Sequence, residues 1–170
     1  MKKIQPRQSI DASIRIPGSK SITHRALIAA SLANGESLLK GFLTSRDTLY
    51  TVNALRELGV KISIEGENIT ISGSGGKFLS TSDRKEIFLG NSGTSYRLLL
   101  STVALARGEY ILTGTPRMHE RPIGDLVNVL KKLGAEVTYI EKDDFPPLFI
   151  RAKGIHGGKV QMPGSKSSQY

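Results

Sequence analysis

Pro-Gly-Ser-Lys-Ser stands twice in this chain, at Pro17–Ser21 and at Pro163–Ser167, and a third Gly/Ser turn, Gly90-Asn91-Ser92-Gly93-Thr94-Ser95, lies midway between the copies. A turn of small residues just before a helix presents backbone N–H groups for which the helix has no acceptor, and an anion fits there. Three such turns at even spacing indicate one supersecondary unit used repeatedly, with the anion-binding ends of its helices gathered at one site. A second stretch carries the same signal: Val52-Asn53-Ala54-Leu55-Arg56-Glu57-Leu58-Gly59-Val60 is echoed by Val127-Asn128-Val129-Leu130-Lys131-Lys132-Leu133-Gly134-Ala135.

The pattern along the chain gives each unit the same order of elements. Unit one, about 12–73, begins with an alternating strand over Ala12–Ile16, then the Pro17-Gly18-Ser19 turn and a helix from about Ser21 to Ala33, stopped by Asn34-Gly35. A strand over Glu36–Lys40 follows, then a helix over Thr48–Leu58 with its N-cap in Ser45-Arg46-Asp47 and an apolar stripe of Leu49, Val52, Leu55 and Leu58. Val60–Ile64 and Asn68–Ser72 form a hairpin around Glu65-Gly66-Glu67. Unit two, about 84–153, has strands over Glu86–Leu89, Glu109–Thr113, Ala135–Ile140 and Leu148–Ala152, and helices over Ser95–Ala106 and from Pro122 to about Leu133. Unit three starts at about 158 with a strand over Lys159–Gln161 and runs into the second Pro-Gly-Ser-Lys-Ser.

The first helix of each unit is apolar nearly all round and is expected to be buried, whereas the second is amphipathic and is expected to face solvent. Strands alternating with helices make the class α/β. On pattern alone an ordinary doubly wound sheet fits as well. The helix due after the second Pro-Gly-Ser-Lys-Ser has no room before Tyr170. The chain is therefore expected to be the N-terminal part of a longer protein.

Composition narrows the partner. Lys and Arg number 24 against 15 Asp and Glu, a net charge of +9, which favours an anion. Aromatic residues are only 6%, there is no Trp, and no stretch interleaves aromatic with basic residues, so nucleic acid is not the default partner. The absence of Cys excludes disulfides and thiolate chemistry within these residues. Met1-Lys2-Lys3-Ile4 has no apolar segment behind its lysines, and no apolar run approaches a membrane span; a cytoplasmic protein is the simplest reading.

Lys20 and Arg25 follow the first turn and Arg97 holds the matching place after the second. A turn with Lys and Arg about one helical turn apart suits a carboxylate or a phosphate. On the residues alone, the alternative of ordinary solvated basic side chains stays open. The turn lacks the spacing of a nucleotide P-loop. Gly73-Ser74-Gly75-Gly76 reads as a connector. His119-Glu120 reads as a helix entry rather than an acid/base pair, and Arg121 opposes the helix dipole there, which marks it as a candidate ligand residue. His24 and His156 have no partners at metal-ligand spacing and are given no role.

Taken together, Pro17-Gly18-Ser19-Lys20-Ser21-Ile22-Thr23-His24-Arg25, Leu89-Gly90-Asn91-Ser92-Gly93-Thr94, Glu120-Arg121-Pro122-Ile123-Gly124 and Gly164-Ser165-Lys166-Ser167-Ser168-Gln169 resemble the 3-phosphoshikimate 1-carboxyvinyltransferase (EPSP synthase) family. The resemblance runs the whole chain. It implies an EPSP synthase-like lobe of repeated βαβαββ units with central helices, here two complete units and the start of a third. The family's second lobe is not in these residues. It implies enolpyruvyl transfer from phosphoenolpyruvate to shikimate 3-phosphate, with no metal or organic cofactor, in a protein that is a monomer when intact, with no nucleic-acid or membrane partner. By the same resemblance Lys20 is the catalytic lysine touching both substrates, and Ser21 and Arg25 hold the shikimate carboxylate. Gly93 and Arg121 bind phosphoenolpyruvate, and Asn91 and Thr94 shape their loop. Ser167 and Ser168 hold the shikimate phosphate, and Gln169 lies against the shikimate ring and reaches phosphoenolpyruvate.

One residue departs from the family's pattern, and one that keeps it bears on inhibition. Leu98 follows Arg97 where many members have proline, which bears on loop rigidity. Glycine rather than alanine at position 93 implies a glyphosate-sensitive site in the intact enzyme. Without the second lobe the chain alone is expected to be inactive. The alternatives are the related enolpyruvyltransferase acting on UDP-N-acetylglucosamine, whose first motif has Lys-Asn where this chain has Lys20-Ser21, a non-catalytic anion-binding remnant, and a nucleic-acid binder.

Overall fold

Residues 5, 6, 8–80 and 82–162 are described by a computed structural model of the chain. Helix α1 (Lys20–Leu32) starts where Ser19, in extended geometry, accepts the Ile22 N–H on its Oγ at 3.4 Å. It stops as the chain turns through Asn34-Gly35, Gly35 having a φ of +83°. Strand β1 (Asn34–Lys40) follows, then α2 (Arg46–Glu57), whose start is a reciprocal cap: Thr48 N–H donates to Ser45 Oγ while Ser45 N–H donates to Thr48 Oγ1. Strands β2 (Lys61–Glu65) and β3 (Asn68–Ser74) form the hairpin. Then come β4 (Lys85–Phe88), α3 (Gly93–Ala104), β5 (Arg107–Thr113), the short α4 (Pro116–His119), α5 (Gly124–Lys132), β6 (Glu136–Tyr139) and β7 (Leu148–Lys153).

The strands make two sheets, ordered β1-β3-β2 and β4-β5-β7-β6. The first is antiparallel throughout, with Ile69 opposite Leu39 and Ile64, and Ile71 opposite Ile62. In the second, β4 and β5 run parallel, joined across α3, and the other pairings are antiparallel. One apolar core runs through both halves. Ile69 and Ile71 from the first sheet, Tyr110, Leu112 and Ile150 from the second, and Leu27, Val52, Leu55, Leu99 and Val103 from the helices are all fully buried in it. Tyr96 ties α3 to β5 by donating its hydroxyl to Leu112 O at 2.7 Å, and burial pushes its phenol far above the ordinary value. The three helices α1, α2 and α3 pack on one another, so their N-terminal turns come together. No helix among the described residues is long and apolar enough to cross a membrane.

Several expectations need correction. Ala12–Ile16 pairs with no strand among the described residues; Ile14 is 80% and Ile16 79% exposed. Alternation gives a strand its faces, but a ladder needs a partner edge, and the first sheet has three strands where the second has four. Lys159–Gln161 likewise joins no sheet among the described residues. Helix α5 starts at Gly124, with Ile123 outside it and its N–H held by Asp144 O at 2.8 Å, so Pro122 is not its first residue. Arg121 is therefore not at a helix N-terminus, and the dipole argument for it falls. Helix α1 is buried on one side only: Ile28, Leu32, Leu98, Leu105 and Ile155 line an open apolar groove of about 360 Å³ between α1 and α3. Helix α4 is four residues long, too short for any periodicity to reveal it.

Candidate anion site at the helix N-termini

The first turn is held by close packing rather than by unusual torsions. A Cβ on Gly18 would lie 2.5 Å from Gly41 O and 2.9 Å from Leu43 N, so only glycine lets the turn lie flush on that loop. Leu43 N–H donates to Thr23 Oγ1 at 3.1 Å and fixes α1 on the same loop. With the turn so held, Lys20 projects from the start of α1 and donates its Nζ to Asp47 Oδ2 at 2.8 Å. Lys20 is half exposed, so the pair is a weak tether, worth at most about 1 kcal/mol, and it leaves the ammonium within reach of solvent. Ser21 and Arg25 are exposed on the next turn, with Arg25 Nη1 donating to Ser21 O at 3.2 Å.

The second turn is built around Ser92, which is buried and caps α3 by accepting the Ser95 N–H on its Oγ at 3.4 Å. Gly93, the next residue, is buried beneath two guanidinium groups. A Cβ built there would lie 2.8 Å from Arg121 Nη1 and 3.0 Å from Arg97 Nη1. Arg97 is fixed from α3 itself, its Nη1 donating to Gly93 O at 3.3 Å and its Nη2 to Pro122 O at 3.1 Å. Arg121 is carried in by the segment after β5: Thr115 N–H donates to Gly90 O at 2.9 Å, and Arg121 N–H donates to Met118 O at 3.0 Å. The half-buried Arg121 guanidinium has no hydrogen bond or ion pair among the described residues. Many other cations are engaged at the surface, as in Lys85 with Glu57, Arg151 with Glu109 and Lys153 with Glu136.

A half-buried guanidinium with no carboxylate partner among the described residues, a second guanidinium beside it, a glycine whose missing Cβ lets both come close and a lysine on the neighbouring helix start form an arrangement that can take a small, strongly negative ligand. The two turns are also mechanically joined. The first turn of α2 holds Lys20 through the Asp47 carboxylate, and its Asp47 carbonyl accepts the Ser95 hydroxyl at 3.2 Å.

The family model described as EPSP synthase (3-phosphoshikimate 1-carboxyvinyltransferase) matches residues 4–170. The chain belongs to the EPSP synthase family. Curated 3-phosphoshikimate 1-carboxyvinyltransferases of Aliivibrio salmonicida and Shewanella amazonensis are 47% and 46% identical to it, over 98% and 99% of the chain and 40% of each relative. The solved EPSP synthase of Acinetobacter baumannii superposes with a TM-score of 0.82 at 29% identity, over 92% of this chain and 36% of that one. The chain thus spans about 40% of the length of the curated EPSP synthases it matches, and its fold is that of the corresponding part of the solved enzyme.

Of the residues singled out by sequence, the structure brings Gly93 and Arg121 into contact range and sets Lys20 on the adjoining helix. Asn91 is exposed on the rim of the second turn and Thr94 half-buried within it. Ser167, Ser168 and Gln169 lie outside the described residues. His119 and Glu120 face apart: His119 Nε2 meets Thr113 Oγ1 at 3.2 Å, whereas Glu120 pairs with Arg117. Asp47, read only as part of a helix cap, turns out to hold Lys20, and Arg97 to share Gly93 with Arg121. The sequence signal for Arg97 was its place in the second unit; for Asp47 there was none, because its partner lies on another helix.

Proposed function

We propose that this chain supplies one lobe of an enzyme that transfers the enolpyruvyl group of phosphoenolpyruvate to the 5-hydroxyl of shikimate 3-phosphate, yielding 5-enolpyruvylshikimate 3-phosphate and phosphate. The observation that carries the reading is the Arg121 guanidinium, half-buried, with no carboxylate partner among the described residues, and brought beside the Arg97 guanidinium over Gly93, where a side chain would intrude. Phosphoenolpyruvate, with a carboxylate and a phosphate on three carbons, matches paired guanidinium groups.

In this reading the 5-hydroxyl gives up its proton to a base as its oxygen bonds to C2 of phosphoenolpyruvate, and C3 takes up a proton, giving a tetrahedral intermediate. Loss of a proton from C3 and of phosphate from C2 then gives the enol ether. Lys20 lies beside the reacting hydroxyl and touches both substrates. Ser21 and Arg25 take the shikimate carboxylate, and Ser167, Ser168 and Gln169 the phosphate and ring. Asn91 and Thr94 shape the loop around Gly93. The units run over about 12–73 and 84–153, with a third from about 158, and the rest of the enzyme closes over the substrates, excludes water and strengthens each charge contact. The intact enzyme is a cytoplasmic monomer.

Arg121→Gln in the full-length protein tests the reading. The expected result is a rise in KM for phosphoenolpyruvate of about ten- to a hundredfold, the loss of a charge-assisted contact, with KM for shikimate 3-phosphate nearly unchanged. Equal KM values for phosphoenolpyruvate in the two proteins would remove Arg121 from the site. Running the same assay with UDP-N-acetylglucosamine as acceptor separates the two enolpyruvyltransferase chemistries: this reading expects no product from it.

A further inference from the structure

His24 is fully buried on α1 and has no part in the anion site as described above. Its Nδ1 lies 2.8 Å from Thr51 Oγ1 on α2, and Thr51 Oγ1 donates to Ser95 Oγ on α3 at 3.0 Å. Ser95 Oγ donates in turn to Asp47 O at 3.2 Å and lies 2.6 Å from Ser92 Oγ, the cap of the second turn. A hydroxyl has one proton. The Thr51 proton is spent on Ser95, so Thr51 Oγ1 must accept from His24, and Nδ1 carries the hydrogen. The Ser95 proton is spent on Asp47 O, so Ser92 donates to Ser95. Every donor in the run then has an acceptor.

The reverse arrangement fails on two counts. With Thr51 donating to Nδ1, the imidazole hydrogen moves to Nε2, which is buried with no partner among the described residues, and Ser95 is drawn away from Asp47 O. A buried N–H without an acceptor is rarer and costlier than a bare lone pair. The imidazolium would add a buried charge to the same orphan N–H. Burial is the largest influence on the ring and lowers its pKa; of the charged groups around it, Asp47 on α2 favours the charged form and Lys20 and Arg25 on α1 oppose it. From α3 the ring's run meets only hydroxyls.

We propose that His24 is a positioning residue: as the neutral Nδ1–H tautomer it heads a one-way run of hydrogen bonds through Thr51 and Ser95 that seats Ser92, and with it the Gly93 turn, against the turn that carries Lys20. The tautomer and the run stand on geometry alone. Their effect on substrate rests on the function proposed above.

Long-range ¹H–¹⁵N correlation on the histidine-labelled chain near neutral pH reads the tautomer, with His24→Asn identifying the signals. The expected pattern is a protonated Nδ1 and a bare Nε2. Thr51→Val, nearly isosteric, cuts the run at both bonds. It is expected to abolish the Nδ1–H preference and to shift the amides of Ser92–Ser95, and Thr51→Ser is expected to restore both. In the full-length protein Thr51→Val should raise KM for phosphoenolpyruvate about three- to tenfold, the worth of one to two neutral hydrogen bonds, with a smaller change in kcat. An Nε2–H ring or an imidazolium in the unmodified chain overturns the proposal, whether or not the valine variant folds. So do Ser92–Ser95 amides, or a KM, unmoved by Thr51→Val. Absence of turnover in the unmodified full-length protein would instead refute the enolpyruvyl-transfer reading, and the tautomer would still decide this one.

Discussion

A methyl group at position 93 would meet Arg121 Nη1 at 2.8 Å and Arg97 Nη1 at 3.0 Å. Both are the far ends of long side chains, so they can swing away while the backbone stays. Gly93→Ala is therefore expected to fold with a thermal midpoint within a few degrees of the unmodified chain, since alanine in the first turn of α3 gains up to about 1 kcal/mol of helix propensity. Its cost falls on the ligand: the guanidinium groups no longer converge, and phosphoenolpyruvate affinity in the full-length protein should drop about tenfold or more. Calorimetry alongside a melting curve separates the two effects. His24 gives a second prediction at this scale. Burial lowers its pKa below 6.5, so below that pH the unfolded chain binds a proton that the folded chain refuses. Stability is then full above pH 6.5 and falls as pH drops toward the folded-state pKa. Urea unfolding at about pH 7.5 and about pH 5 should show a larger loss for the unmodified chain than for His24→Asn; equal losses would contradict a neutral, buried ring.

Helix α2 shows what elements owe to local sequence and what they do not. Ser45→Ala removes the reciprocal cap and is expected to cost about 1 kcal/mol, whereas Leu55→Ala, at a fully buried position, should cost about 2–5 kcal/mol by denaturant unfolding. The cap and the Val52, Leu55 and Leu58 stripe were legible, because each signal lies within a few residues of its effect. Ala12–Ile16 has equally clear alternation and makes no strand, because pairing depends on a distant edge. Helix α5 begins two residues later than Pro122 suggests because Ile123, with a non-helical φ of −133°, stands as its N-cap, a torsion no local rule contains. The candidate site divides the same way. Lys20, Gly93 and Arg121 were legible as members of short motifs; Arg25, from the first of them, lies exposed and donates to Ser21 O. Asp47 with Lys20, and His24 with Thr51 and Ser95, are contacts between helices more than twenty residues apart, and they emerge only when α1, α2 and α3 are packed together.

At the scale of the molecule, the two Gly/Ser turns sit at the joined N-termini of three helices over one continuous core, so the candidate anion site is as rigid as the packing beneath it. The fold matches the corresponding part of a solved EPSP synthase, and the chain spans about 40% of the length of its curated relatives. In the function proposed above, the chain alone lacks the water exclusion and opposing charges that a second lobe would add to lower the barrier. The most direct measurement is phosphate release from phosphoenolpyruvate, dependent on shikimate 3-phosphate, by the isolated 170-residue chain and by the full-length protein in parallel. The expected result is turnover by the full-length protein and none above the enzyme-free control by the chain alone. A full-length protein that releases no phosphate, or an isolated chain that turns over by itself, would contradict the reading of these residues as one lobe of an enolpyruvyltransferase.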